Sequence, residues 1–261
     1  MQRYMYGKIE VIRFSISPLY KEFVFYLYFF DGILIDTGPR IRKKLLVPLF
    51  KELAIEKVYL THHHDDHMGM AWWLAKHLEL DIYANEKTVP YINKRTQIPF
   101  PFKWGSNLSG VFPVNIYPVE LKHNNYNFIP IYTPGHTDDH VALYEPKKKW
   151  LFTGDLYITT SPKVAHATES ITQYIQSLEK ILVYDFDVIF CAHEGPIENA
   201  KAKIIDKITY LKRTQKAVIE FHQAGLSENE IVKIMFPRRV TLESMTFGAF
   251  SRKKFIKACL K

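Results

Sequence analysis

Apolar positions alternate, or run unbroken, over residues 9–16, 22–30 and 33–35, and each run is bounded by Gly, Pro or Asp. Such runs read as strands, and their short separations predict an opening antiparallel sheet. Helical spacing takes over across residues 41–53, predicting a helix kinked or restarted at Pro48. Residues 57–60 have the continuous apolar character of a buried strand, and residues 68–77 return to helical spacing. A short strand at 82–84 and a helix at 86–93 follow. Between 96 and 118 the pattern breaks: the prolines of Ile98-Pro99-Phe100-Pro101-Phe102-Lys103-Trp104-Gly105 forbid a regular helix and a central strand. This stretch reads as an aromatic loop placed to line a pocket. Strands resume at 128–132, 141–144 and 150–153, the last two joined by a turn at Pro146-Lys147-Lys148-Lys149. A helix at 169–182 and a strand at 188–192 come next. From Glu198 the pattern is helical almost to the end, with Ser227 and Glu230 spaced as a capping box.

A chain of 261 residues with 47% hydrophobic and 24% charged content is globular, not disordered or fibrous, and long enough for one main domain with an addition. The boundary is expected near 196, with a catalytic domain over residues 1–196 and a helical appendage over 197–261. The longest apolar run is too short to span a bilayer, and the opening MQRYMYGKIE lacks the plan of a secretion signal. With only Cys191 and Cys259 there is no disulfide framework, so a cytoplasmic protein with no membrane association is expected. Net charge is +8, and its location matters more than its size. Residues 197–261 hold 14 Lys and Arg against 6 Asp and Glu, whereas residues 1–196 hold 21 of each sign. A basic tail either keeps amphipathic helices wet or attracts a polyanion such as RNA.

The chemistry gathers at strand ends. Thr61-His62-His63-His64-Asp65-Asp66-His67 directly follows one predicted strand, while Asp36, His136, Asp155 and His193 follow others. Imidazole with carboxylate suits zinc, with manganese or iron as alternatives, and two cysteines exclude an all-thiolate site. His62 and His64, two apart in an extended turn, can point the same way, while Asp66 and His67 on the next helical turn face elsewhere. One segment can thus serve two ions.

With Thr133-Pro134-Gly135-His136, Thr153-Gly154-Asp155 and Ala192-His193 added, the chain resembles the metallo-β-lactamase superfamily across roughly residues 9–196. The resemblance implies an α/β fold, a four-layered αββα sandwich, here with a helical C-terminal appendage. It implies two divalent metal ions, one held by His62, His64 and His136, the other by Asp66, His67 and His193, with Asp155 bridging. Asp66 and Asp155, as the carboxylates, are the candidate catalytic residues. Asp36 is expected to accept a hydrogen bond from a ligand histidine. His63 reads as a packing or solvent-facing residue, Asp65 as a helix N-terminal carboxylate and His140 as structural support; Tyr157 and His166 read as packing residues, with contact to a substrate as the alternative.

Two ions with Asp66, Asp155 and a bridging hydroxide leave a site of about +1, suited to an anionic transition state. The resemblance therefore implies a metal-dependent hydrolase. Asp155 and His67 speak against a true β-lactamase, and His193-Glu194-Gly195-Pro196 departs from the family's common His-Gly-Pro. The helical tail looks like that of the β-lactamase-like-protein-2 branch, some members of which cleave RNA. Three functions are weighed: hydrolysis of a small ester, thioester or lactone; cleavage of single-stranded RNA as a phosphodiesterase, gripped by Lys212, Arg213, Lys216, Arg238 and Arg239; and metal binding without turnover.

Overall fold

A computed structural model of the chain describes residues 1–16, 23–93 and 110–261. The aromatic segment 98–105 lies outside the described residues. Two sheets form the centre. The first runs β1 (Gln2–Tyr6), β2 (Ile9–Ser15), β3 (Val24–Phe30), β4 (Ile33–Ile35), β5 (Lys57–Tyr59), β6 (Asp81–Ala84) and β7 (Asn115–Ile116), in sequence order. It is antiparallel from β1 to β4 and parallel from there to β7. The second holds β8 (Leu121–His123), β9 (Tyr126–Tyr132), β10 (Val141–Glu145), β11 (Trp150–Gly154), β12 (Val188–Cys191) and β13 (Gly195–Glu198), again neighbouring in sequence order.

Three apolar clusters account for the layering. Ile9, Val11, Tyr28 and Tyr59 of the first sheet meet Phe128, Leu143, Phe152 and Phe190 of the second. The outer face of the first sheet, with Ile12, Phe25 and Val58, is covered by α1 (Lys43–Glu52) through Leu46, Leu49 and Phe50 and by α3 (Ala71–His77) through Trp73 and Leu74. The outer face of the second, with Ile131, Ala142 and Ile189, is covered by α5 (Ile171–Ile181), α6 (Ala200–Gln223) and α9 (Arg252–Cys259). Strands whose residues are buried on both faces need helices on the outside, so the result is the expected αββα sandwich. The C-terminal helices share their cluster with the second sheet and do not form a core of their own.

Several local expectations are corrected. The segment around Pro48 is one helix, Lys43–Glu52, after a 3-10 turn at Arg40–Arg42; the proline removes one backbone bond, and burial of the flanking apolar residues keeps the helix continuous. The helix expected from Glu198 starts at Ala200, because Gly195–Glu198 pairs antiparallel with β12. Edge strand β1, exposed along most of its length, has no apolar alternation to announce it. The Ser227–Glu230 capping box is present and opens α7 (Glu228–Met235). The basic tail uses much of its charge internally. Lys207 is buried, Lys212 pairs with Glu179, Arg252 with Glu243, and Lys254 and Lys261 bond backbone carbonyls. No helix among the described residues is long and apolar enough to cross a membrane.

Because β4 and β5 are parallel, as are β11 and β12, and β9 runs with β11, the segments after β4, β5, β9, β11 and β12 all leave at one rim. Two glycines allow the close approach there. Gly154 has φ +47° and sits at a bulge, where a Cβ would lie 2.8 Å from His140 Nε2 and Thr61 Oγ1. Gly135, at φ +139°, lets the start of α5 pass so near that a Cβ would meet the Tyr174 backbone at 2.5 Å.

Candidate metal centre

The rim collects the predicted ligands into two groups, His62, His64, His136 and Asp155 in one, Asp66, His67 and His193 in the other. Asp155 faces both. Its Oδ1 lies 3.2 Å from His67 Nε2 and 3.1 Å from His193 Nε2, while Oδ2 lies 3.2 Å from His136 Nε2 and 4.0 Å from His62 Nε2. Within the groups, His136 Nε2 is 3.0 Å from His64 Nδ1, and His193 Nε2 is 3.5 Å from Asp66 Oδ2.

The fit to a cation can be tested on these atoms. Among the described residues, His62 Nε2, His67 Nε2 and Asp155 Oδ1 are buried without a hydrogen-bond partner. Ligands held about 2.1 Å from a tetrahedral ion stand about 3.4 Å apart, near most of the separations here. Unsatisfied nitrogen lone pairs and carboxylate oxygens, converging at that spacing, suit a divalent cation.

The far side of each ring fixes its tautomer. His193 Nδ1–H donates to the Val24 carbonyl at 3.0 Å, leaving Nε2 as the lone pair. His67 Nδ1–H donates to Asp36 Oδ2 at 2.7 Å. Asp36 also accepts from the Thr61 N–H and hydroxyl, so the His62 Nδ1–H donates to Thr61 Oγ1 at 3.1 Å. Asp36 is thereby the anchor of the histidine loop. Asp36→Asn is expected to weaken metal retention, and activity with it, by about 10–100-fold, measured by competition with a chromogenic chelator; unchanged affinity refutes the role.

Asp155 is held through its backbone. Its N–H donates to His140 Nε2 at 3.2 Å, and its carbonyl accepts from the Tyr174 hydroxyl at 2.5 Å. Burial and the nearby histidines push His140 down to about 3, keeping it neutral and able to accept. Burial alone would pull His136 down, but Asp155 and Glu169 outweigh it and push the imidazole up to about 10. Burial likewise opposes the charged form of Asp155, yet His193, His67 and His136 hold its carboxyl well below the usual range. Burial and neighbouring imidazoles keep His62 and His64 well below the usual histidine value.

His63 points away from both groups, bonded to Asp139 at 2.8 Å and stacked on Tyr91. Asp65 is the first residue of α2 (Asp65–Met68), an acidic side chain in a helix's first turn as expected, and it also accepts from Arg40. Tyr157 bonds Thr160, and the His166 ring lies 6.2 Å from that of His64. Thr61 opens the histidine motif but was given no role there, and Glu169 and Tyr174 were not singled out in the sequence, because their partners His136 and Asp155 are far away in the chain and no local motif marks them.

Fold and site together define a metal-dependent hydrolase. The chain belongs to the metallo-beta-lactamase superfamily, which it matches over residues 31–193. It is 29% identical over 219 residues to a beta-lactamase-like protein 2 homolog of Drosophila melanogaster, covering 78% of this chain and 70% of the relative. It is 30% identical over 152 residues to a hydroxyacylglutathione hydrolase of Legionella pneumophila (strain Corby), covering 58% of this chain and 52% of that protein. The chain thus spans about half of that hydrolase's length. A metallo-beta-lactamase family protein of Thermus thermophilus has the same fold, with a TM-score of 0.72 at 18% identity, covering 97% of this chain and 92% of that one.

Proposed function

We propose that the protein is a dinuclear hydrolase of a small thioester or ester, with His62, His64 and His136 holding one divalent ion and Asp66, His67 and His193 the other. The observation that carries this reading is the division of Asp155, whose two oxygens each face one group. Zinc fits the imidazole-rich donor set best. Bound there, the ions supply an acidified water and a Lewis-acid contact for a carbonyl oxygen. The protein's part is orientation. Asp36 and the Val24 carbonyl hold ring tautomers, and His140 and Tyr174 clamp Asp155 so that neither group can drift. Similarity to a hydroxyacylglutathione hydrolase favours a thioester among the acyl substrates.

The test is to measure metal content and then screen the metal-replete protein against thioesters, esters, lactones and single-stranded RNA. About two ions per chain and turnover of a thioester or ester, abolished by chelator and restored by metal, are expected. Fewer than one ion per chain, or cleavage confined to RNA and falling steeply with added salt, would refute the reading.

A further inference from the structure

A cavity of about 400 Å³ opens beside the candidate metal centre, lined by His136, Glu169, Lys163 and Lys207 together with apolar side chains that include Leu211, Leu242 and Phe255. Lys207 sits in α6 on the same face as Ile204, Ile208 and Leu211, where helical spacing calls for an apolar residue, and it is 1% exposed. Its ammonium donates to the Leu156 carbonyl and to the Tyr174 hydroxyl oxygen, each at 3.2 Å. It lies 4.6 Å from the centre of the Tyr174 ring and 5.3 Å from that of Tyr157. An ammonium has three donors, and both acceptors here are neutral. No carboxylate of the described residues forms an ion pair with it. Glu169, which shares the cavity, is engaged by the His166 N–H and by His136 Nδ1, and Asp155 by the histidines.

A buried cation without a counter-ion is expensive, and a leucine or methionine would pack α6 as well. Burial lowers the lysine only to about 8, so it stays largely charged at neutral pH. What is missing is one negative charge, supplied from the cavity. We propose that Lys207 binds a carboxylate on the acyl part of the substrate, which lies in this cavity with its scissile carbonyl towards His136. Resting on the hydrolase reading, this narrows the substrate class to acyl groups with an acidic end. Of the two lysines on the cavity lining, Lys207 is buried and matches a monoanion, whereas Lys163 is exposed and its charge is screened by solvent, so a phosphate dianion would be undercompensated inside the cavity.

The experiment compares ligand pairs on the metal-replete protein by calorimetry. Succinate, glutarate and adipate are each titrated beside the corresponding half-amide. A carboxylate resting on the metals is common to both members of a pair, so the difference isolates the second carboxylate. For at least one length the diacid is expected to bind about tenfold tighter or more. The gap should close in Lys207→Met through weaker diacid binding. In the wild type it should shrink as pH rises from 7 to 9.5, a readout that needs no variant. Equal binding within all three pairs overturns the proposal, as does a gap that survives Lys207→Met or ignores pH. Tighter, Lys207-dependent binding of 3-phosphonopropionate than of any diacid also overturns it, in favour of a phosphate. A gap without hydrolysis of any ester or thioester keeps the anion site and removes the hydrolase reading; hydrolysis without a gap does the reverse.

Discussion

Asp155→Asn lowers kcat/KM on the best acyl substrate by about 10³-fold or more and leaves less than the full complement of metal. With its N–H on His140 and its carbonyl on Tyr174, residue 155 cannot swing aside to let a water molecule or another side chain take over. An amide in the same place keeps the volume but loses the charge, and its NH₂ must point a donor at imidazole nitrogens needed as lone pairs. On the proposed reading, the bridge between the two groups is lost together with one of the two carboxylates that would balance the cations. Ions placed at a reacting oxygen contribute several kcal/mol to transition-state stabilisation, and each 1.36 kcal/mol is about tenfold in rate. Steady-state kinetics with elemental analysis of the same sample checks the outcome. A variant that keeps both ions and more than a tenth of the activity would show that Asp155 does not bridge.

The second large effect is on stability. The Lys207 ammonium is held at about 8 by burial, against an ordinary value of 10.5. A lysine with a depressed value in the folded state favours folding most when it is neutral. As pH falls from about 10.5 to about 8, the unfolded chain takes up a proton that the folded one resists, so stability declines across that window and levels off below it. The difference corresponds to about 3 kcal/mol. Relative to Lys207→Met, the wild type should therefore gain about that much unfolding free energy between pH 7 and pH 10.5, measured by urea titration. Tyr28, which is buried, and Tyr117, which is partly buried, are raised well above their usual value by desolvation first of all, so their contribution to stability is lost at the top of this range in both proteins. That contribution cancels in the difference. A pH-independent difference would mean that the ammonium is not desolvated. Loss of acidic-acyl binding in Lys207→Met together with a gain in its stability at pH 7 would make Lys207 a residue kept for its ligand at the expense of the fold.

Much of this protein was legible in one dimension. Apolar periodicity and residue type placed a cluster of possible ligands after predicted strands, and the resemblance to the metallo-β-lactamase pattern selected from it His62, His64, Asp66, His67, His136, Asp155 and His193, side chains that the fold brings into two groups. The capping box at Ser227 and Glu230 was equally local. Edge strand β1 and strand β13 were not, since their existence depends on a neighbouring strand more than on their own pattern. The hold of Asp36 on His67, of His140 and Tyr174 on Asp155, and the burial of Lys207 in an apolar position all join residues far apart in the chain. Sequence determined which groups are present and which strand delivers each one, because that is short-range information. Only the folded chain decided which oxygen of Asp155 faces which histidines, which ring nitrogen stays free, and that one lysine lies buried without a counter-ion, because those are properties of long-range packing.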